Sequence, residues 1–245
     1  MGIIGEIPLF LRRLVDKQRK KKYDNAVINN TVIDGGMRMA LKNHALDEKI
    51  LTAAREEFLE NGYKNASLRK IAARAGVTVG AIYTRYETKD ALFCALVQPL
   101  LDRIAQGFAV IREGYYSGVP TPEHMAKAME IESRAVLHLL FDDYNAAVLL
   151  LCRSVGSSLE VFFDQLVEKK IQETQEFFDA MGRPHPDQRL MALLIGGQFH
   201  MYVDIIRGGY DLDAARQLMD AAVVYHTGGW MALFQQGEGE GNHEV

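Results

Sequence analysis

The sequence predicts an all-α chain: an N-terminal three-helix helix-turn-helix unit, then a helical bundle. Three observations carry this. Apolar residues recur at helical spacing through most of residues 46–235, with no convincing strand alternation. The breaks fall at helix-stopping residues: Gly62, Gly76, Gly114 to Pro122, Gly156, Gly182 to Pro186 and Gly208-Gly209. The segments between the first breaks are short and those after them long, with no 20–50-residue repeat, so three short helices and about six longer ones are expected.

The first helix is expected to start at Asp47, a good N-cap, and to bury Ile50, Leu51, Ala54, Phe58 and Leu59. Asn61-Gly62 should end it, since Gly accepts the left-handed turn after a helix. The second is short, with Ser67 as N-cap and Leu68, Ile71, Ala72 and Ala75 inward. Gly76-Val77 turns the chain, Thr78 caps a third helix to about Arg85, and Thr88 caps a fourth from Lys89. That fourth helix, 89–113, contains Pro99, so a kink or break is expected near Gln98. Further helices are expected at about 121–141, 143–155, 157–181, 187–207 and 211–235. The runs Ala135–Phe141 and Ala146–Cys152 are apolar nearly all round and belong inside a bundle.

The expected organisation is thus a basic extension at 1–44, a helix-turn-helix domain at 45–92, a helical domain at 93–236 and an acidic tail at 237–245, the last read as disordered. Residues 1–36 hold the apolar run Ile7–Leu11 followed by Lys17-Gln18-Arg19-Lys20-Lys21-Lys22. Three readings stand for them: a basic helix touching membrane or phosphate, a flexible tail, or an upstream stretch preceding a start at Met37 or Met39.

Composition narrows the function. The 245 residues carry 28 Lys+Arg and 32 Asp+Glu, a net charge of −4, which argues at first against a nucleic-acid protein. The sum hides a gradient: nine against four in residues 1–45, eight against seven in 46–90, and eleven against twenty-one in 91–245. Residues 61–90 hold six Lys/Arg (64, 69, 70, 74, 85, 89) and two acids (87, 90), or +4. Cys94 and Cys152 are too few and too far apart for a disulfide framework or a Cys-rich zinc site, so a reducing cytoplasm is expected. No run of about 18 uncharged apolar residues exists, so no membrane span is expected.

Two short helices around a Gly-containing turn are the helix-turn-helix arrangement. One helix enters the major groove and reads base edges, while hydroxyls and helix N-termini hold phosphates. The third helix offers Thr78, Val79, Gly80, Ala81, Tyr83 and Thr84 for that work. The small Gly80 and Ala81 allow close approach. A solvated charged face on a small bundle remains equally open on periodicity alone.

The residues also carry a resemblance. Ile50-Leu51-x-Ala53-Ala54-x3-Phe58-x3-Gly62-Tyr63, then Ala66-Ser67-Leu68-Arg69-Lys70-Ile71-Ala72-x2-Ala75-Gly76-Val77-Thr78-x-Gly80-Ala81-Ile82-Tyr83, then Tyr86-x2-Lys89-x2-Leu92-Phe93 resembles the DNA-binding domain of TetR-family transcriptional regulators. Ser67 stands where Thr is commoner, and Arg85-Tyr86 departs from the usual pair there. The resemblance implies that Ser67 and Arg69 hold phosphate and that Thr78, Val79, Gly80, Ala81 and Thr84 face the groove. It implies that Tyr83 and Tyr86 contact backbone phosphate or brace the helix, and that Lys89 binds phosphate; Arg85 would add a phosphate contact or alter base preference.

The last two long helices carry Leu190, Leu193, Leu194, Gly197, Met201 and Ile205, then Leu218, Ala222, Tyr225 and Trp230. This is more apolar surface than a monomer edge should expose. The resemblance implies a four-helix homodimer interface there, and two-fold symmetry suits a near-palindromic site in double-stranded DNA. It also implies a small-molecule effector, of unknown identity, among the middle helices. Candidate lining residues are Phe108, Tyr115, Arg134, His138, Phe141, Cys152, Phe163, Phe199 and Tyr202, with Met125 and Met129 suited to an adaptable wall. His200 and Asp204, four apart, are expected either to pair at the interface or to anchor a ligand.

No HExxH, GxSxG, phosphate loop or CxxC occurs, so no enzyme, metal or cofactor is expected. The reading is a ligand-responsive homodimeric repressor; the alternative is a DNA-binding regulator controlled by a partner protein or by nothing. A cavity of a few hundred Å3 among the middle helices discriminates them, a solid core favouring the alternative.

Overall fold

The computed structural model describes residues 35–115 and 121–239, with side chains described for 44–111 and 121–235. Among the described residues every regular element is an α-helix: α1 Gly35–Asn65, α2 Leu68–Ala75, α3 Val79–Tyr83, α4 Lys89–Tyr115, α5 Pro122–Asp142, α6 Tyr144–Cys152, α7 Phe162–Ala180, α8 Gln188–Gly208 and α9 Leu212–Gly239. Residues 1–34, which hold the apolar run and the lysine cluster, lie outside the described residues.

The ends of the helices follow local chemistry. Thr78 Oγ1 accepts from Ala81 N at 3.1 Å, Thr88 Oγ1 from Ala91 N at 2.9 Å, Thr121 Oγ1 from His124 N at 3.2 Å and Asp211 Oδ1 from Ala214 N at 2.8 Å. Gly76 takes φ 67°, ψ 34°, and Val77 N–H returns to Ala72 O at 3.0 Å, closing α2 with the turn expected from a left-handed Gly. Gly62 (φ 69°, ψ 164°) breaks α1 near its end, as Asn61-Gly62 suggested.

Several expectations are corrected. α1 starts at Gly35 rather than Asp47, because Met39 to Ala45 contains no helix breaker; Asp47 sits mid-helix and pairs with Arg85 Nε. α4 runs through Pro99 without a break, although the missing N–H leaves the carbonyl four residues back without its helical partner. Residues 153–161 form turns, so α6 ends and α7 begins inside the spans expected for them. α9 continues to Gly239, three residues into the segment read as a disordered tail.

One hydrophobic core runs from Ile50, Phe58 and Ile71 in the N-terminal unit through Leu92 to Leu100 on α4 and into Leu149, Phe178, Met191 and Phe234 of the bundle. α4 packs on α5 and α6, α5 on α9, and α7 on α8. By length and mean hydropathy the Lys89–Ile111 stretch of α4 could cross a membrane. Here it is the helix that joins the N-terminal unit to the bundle, and Arg103 on it reaches Asp142 at 2.6 Å and Asp143 at 3.7 Å. The 153–161 turn seats the N-terminal unit: Tyr63 N–H donates to Arg153 O at 2.8 Å, and Ser158 N–H to Asp90 Oδ1 at 2.8 Å.

Candidate nucleic-acid interface

The reader is three short segments clamped on a buried ring cluster. Phe93 of α4 meets Phe58 edge-on at 5.1 Å and Tyr63 at 5.2 Å. Ile71, Ala72 and Ile82 are buried beside them. This leaves α3 outward. Thr78, Gly80, Tyr83 and Thr84 are exposed, whereas Val79 and Ala81 are half-buried and Val79 packs on the core. Thr84 Oγ1 donates to Gly80 O at 2.9 Å, so its hydroxyl proton is used inside the helix.

The cations divide into two groups, which composition could not show. Arg74 is held by Glu60 at 2.7 Å, Glu57 at 3.7 Å and Glu56 at 3.8 Å, and its hydrogen bond lowers the Glu60 carboxyl below its usual range. Arg85 is mostly covered and reaches Asp47. Lys89 donates to Ala66 O at 3.2 Å and Lys64 O at 3.3 Å, lies 4.6 Å from the Tyr63 ring centre, and has its ammonium pushed down by burial. Arg85, expected to add a phosphate contact or alter base preference, and Lys89, expected at phosphate, thus make contacts within the unit that also brace it. Tyr86 does the same, half-buried against the core, its phenol raised first by burial and then by Asp47. Lys64, Arg69 and Lys70 are exposed and have no carboxylate within 4 Å among the described residues. They flank the start of α2, where first-turn N–H groups favour an anion.

Ser67 takes the N-cap position of α2, but its hydroxyl makes no cap bond. The capping acceptor is Glu57, fully buried, whose Oε1 accepts from Ser67 N–H at 3.1 Å. Sequence reasoning passed over Glu57. Its signal was its place: three and seven residues after Ala54 and Ile50, it occupies a position of the apolar stripe where a charge needs a partner. Glu57→Ala should destabilise the chain by about 1–3 kcal/mol, since the Ser67 N–H then lacks an acceptor. Glu57→Gln, which keeps an amide oxygen there, should cost less. Thermal unfolding followed by circular dichroism measures both, and equal losses would show that the acceptor is not what matters.

The residues expected around an effector do not converge. Of the nine residues expected to line it, Phe199 faces the pocket among the middle helices, which is about 70 Å3 and open to solvent, and Met125 and Met129, expected to suit its wall, line it as well. Tyr202 is buried and donates to Ser133 Oγ at 3.3 Å. Arg134 lies on the outside, bound to Glu130 at 2.7 Å and Asp220 at 3.1 Å. Phe141 rests on Tyr144, Phe163 on Phe199 and His200, and Phe108 beneath the Lys170 ammonium; His138 and Cys152 are half-buried elsewhere, and the Tyr115 side chain lies outside the described residues. Beside Phe199, Met125 and Met129 the pocket gathers Phe177, Ile195, Gln198 and Trp230 around Glu132, Lys170, Glu173 and Thr174. Lys170 Nζ stands 2.9 Å from Glu132 Oε1 and 2.9 Å from Glu173 Oε2. Burial raises the Glu132 carboxyl; burial alone would lower the Lys170 ammonium, but the two carboxylates outweigh it and hold it high. The pocket that holds Phe199 is thus smaller than the few hundred Å3 expected, while Arg134 lines a wider, more open groove of about 550 Å3 between α5 and α9 with Asp220, Val223 and Val224.

The apolar strip on α8 and α9 is confirmed as exposed surface only in part. Leu193 is 75% exposed, Tyr225 79%, and Leu190 and Leu218 are also exposed, with Leu194, Met201 and Ala222 half-buried at its margin. Ile205 and Trp230, placed on this face from periodicity, are buried inside the chain, Trp230 against the crevice. Val224, 74% exposed, belongs to the strip and was missed. A Cβ built on Gly197 would meet nothing within 4 Å. His200 and Asp204 do not pair: His200 is exposed beside Phe163, and Asp204 meets Arg207 at 3.5 Å.

A Thr-capped exposed helix carried by a braced three-helix unit is a helix-turn-helix arrangement in an all-α chain. Residues 50–96 match the family model of bacterial regulatory proteins, tetR family. It is 40% identical over 57 residues to the HTH-type transcriptional repressor Rv1474c of Mycobacterium tuberculosis, a match covering 23% of this chain and 30% of that one. The chain therefore matches less than a third of that relative's length. Among solved structures, a TetR-like regulator from Rhodococcus sp. RHA1 superposes with TM-score 0.54 at 19% identity, covering 75% of this chain and 96% of that one. FadR from Bacillus subtilis, solved with stearoyl-CoA, gives 0.51 at 22% identity, covering 74% and 98%. At these identities the structures speak for the fold alone.

Proposed function

We propose that the chain is a homodimeric repressor acting in the cytoplasm on a near-palindromic operator in double-stranded DNA. The observation that carries this is the exposed α3 surface, Thr78, Gly80, Tyr83 and Thr84, set beside Arg69 and Lys70. It offers groove-facing small and hydroxylated side chains next to a phosphate-facing cationic edge. The apolar strip on α8 and α9 supports pairing of two copies, and the repressor among the relatives supports the direction of control. Two readers related by a two-fold axis would engage half-sites about one helical turn, or a multiple of it, apart. A footprint on the DNA upstream of the chain's own gene should show two such protected half-sites. Tyr83→Ala should weaken the shift of that DNA in a gel at fixed salt while the dimer persists. Salt has to be held constant because phosphate contacts make affinity salt-dependent. Unchanged binding by Tyr83→Ala would remove α3 from the interface.

For control we propose a small molecule seated in the crevice of the middle helices, bound more tightly by one reader spacing than by the other. FadR, with its stearoyl-CoA, supports a ligand in a body of this fold. The size of the pocket, about 70 Å3 against the few hundred usual for a ligand site, favours the second reading: a regulator set by a partner protein or constitutively. A screen for ligands that release the footprinted DNA separates the two.

A further inference from the structure

The crevice between α5, α7, α8 and α9 contains a charge imbalance that the DNA-reading face does not use. Its wall presents two carboxylates, Glu132 and Glu173, to one ammonium, Lys170, which bonds both oxygens of Glu132 at 2.9 and 3.0 Å and Glu173 at 2.9 Å. These side chains are largely shielded from water, so the surplus negative charge is poorly solvated. A cation entering the crevice would offset it. An anion would meet both the surplus charge and an ammonium already committed to two carboxylates. The rest of the wall is aromatic or soft, with Phe177, Phe199, Trp230 and Met125 among its members. Ring faces attract cations, and Met side chains repack around irregular guests. The pocket of about 70 Å3 suits a compact head group, and it opens to solvent, where the rest of a ligand could extend.

We propose that this crevice binds an organic monocation with an apolar body, the charge set against Glu173 and Glu132 and the body between Trp230, Phe199 and Phe177. The proposal deepens, and rests on, the reading of the helical body as an effector domain.

Trp230 is the single tryptophan of the chain and lines the crevice, so its emission reports occupancy directly. In the full chain, benzyltrimethylammonium should change that emission saturably and bind at least tenfold more tightly than phenylacetate. Glu173→Gln, at the more exposed of the two carboxylates, should weaken the cation at least tenfold. Gln198→Glu, which adds a negative charge to the wall, should tighten it and serves as the test should Glu173→Gln fail to fold. Phenylacetate binding as tightly as the cation, no saturable response to the cation, or a folded Glu173→Gln with unchanged affinity would overturn the proposal. A gel shift on the same mixtures keeps the two readings apart. Cation binding at Trp230 without DNA release overturns the effector reading and leaves the site standing.

Discussion

Leu193→Glu combined with Val224→Glu should yield a folded monomer whose affinity for operator DNA falls by more than about 100-fold. Both side chains are about three-quarters exposed in the single chain, so their replacement removes almost no packing from the monomer. In a symmetric pair the same four side chains would be buried, and full burial of one Leu or Val contributes roughly 1.5–3 kcal/mol. The double substitution removes that gain four times over and adds four carboxylates facing one another in a dry interface. Loss of pairing then removes the second reader, and bivalent engagement is commonly worth about 10²–10⁴ in affinity. Light scattering at micromolar concentration reads the mass, a gel shift at fixed salt reads the affinity, and circular dichroism confirms the helices. A double variant that remains dimeric would remove α8 and α9 from the interface.

Gly80→Leu should abolish specific DNA binding while leaving stability within about 0.5 kcal/mol of the parent chain. The two halves of this expectation come from different observations. Gly80 has an ordinary helical φ, and a Cβ built on it meets only Thr78 Oγ1, at 3.7 Å, an ordinary van der Waals distance. The fold therefore accepts a side chain there. The exposed α3 surface does not have the same latitude once a base pair lies against it. A leucine would hold α3 away from base edges whose contacts discriminate by about 1–3 kcal/mol each. Loss of two such contacts lowers affinity by roughly 30- to 20,000-fold. Unfolding curves and gel shifts on the same preparation test both halves, and a variant that binds DNA normally would show that α3 does not approach the groove at Gly80.

The comparison of Lys89 with Lys70 shows how far the sequence reaches. Both count equally toward the +4 of residues 61–90. The structure commits Lys89 to the carbonyls of Lys64 and Ala66, 25 and 23 residues away, and leaves Lys70 outward. Arg74 and Arg85 are likewise taken up, by carboxylates of α1 that precede them by 14 to 38 residues. A charge count therefore reveals a basic segment but not which of its charges a phosphate can meet. Trp230 makes the same point for the apolar residues. Helical periodicity placed it on the face of α9 with Tyr225, yet Tyr225 is exposed and Trp230 turns into the crevice, because α5 packs along α9 and claims that side of it.

By itself the sequence determined the all-α class, most helix boundaries after residue 62, the Gly76 turn, the Thr78 cap that orients α3, and the resemblance of residues 50–96 to a known family. These depend on a residue and its neighbours within one helical turn: a hydroxyl three residues from an amide, a glycine free of Cβ strain, an apolar stripe of period 3.6. Only the tertiary structure decided that Glu57 caps α2, that Lys89 and Arg85 bond to groups of α1 and the α1–α2 turn, that Trp230 lines a crevice inside the chain, and that this crevice is small. Each of those depends on which helix lies against which, and burial and ion pairing between helices far apart in the chain leave no periodic trace in either one alone.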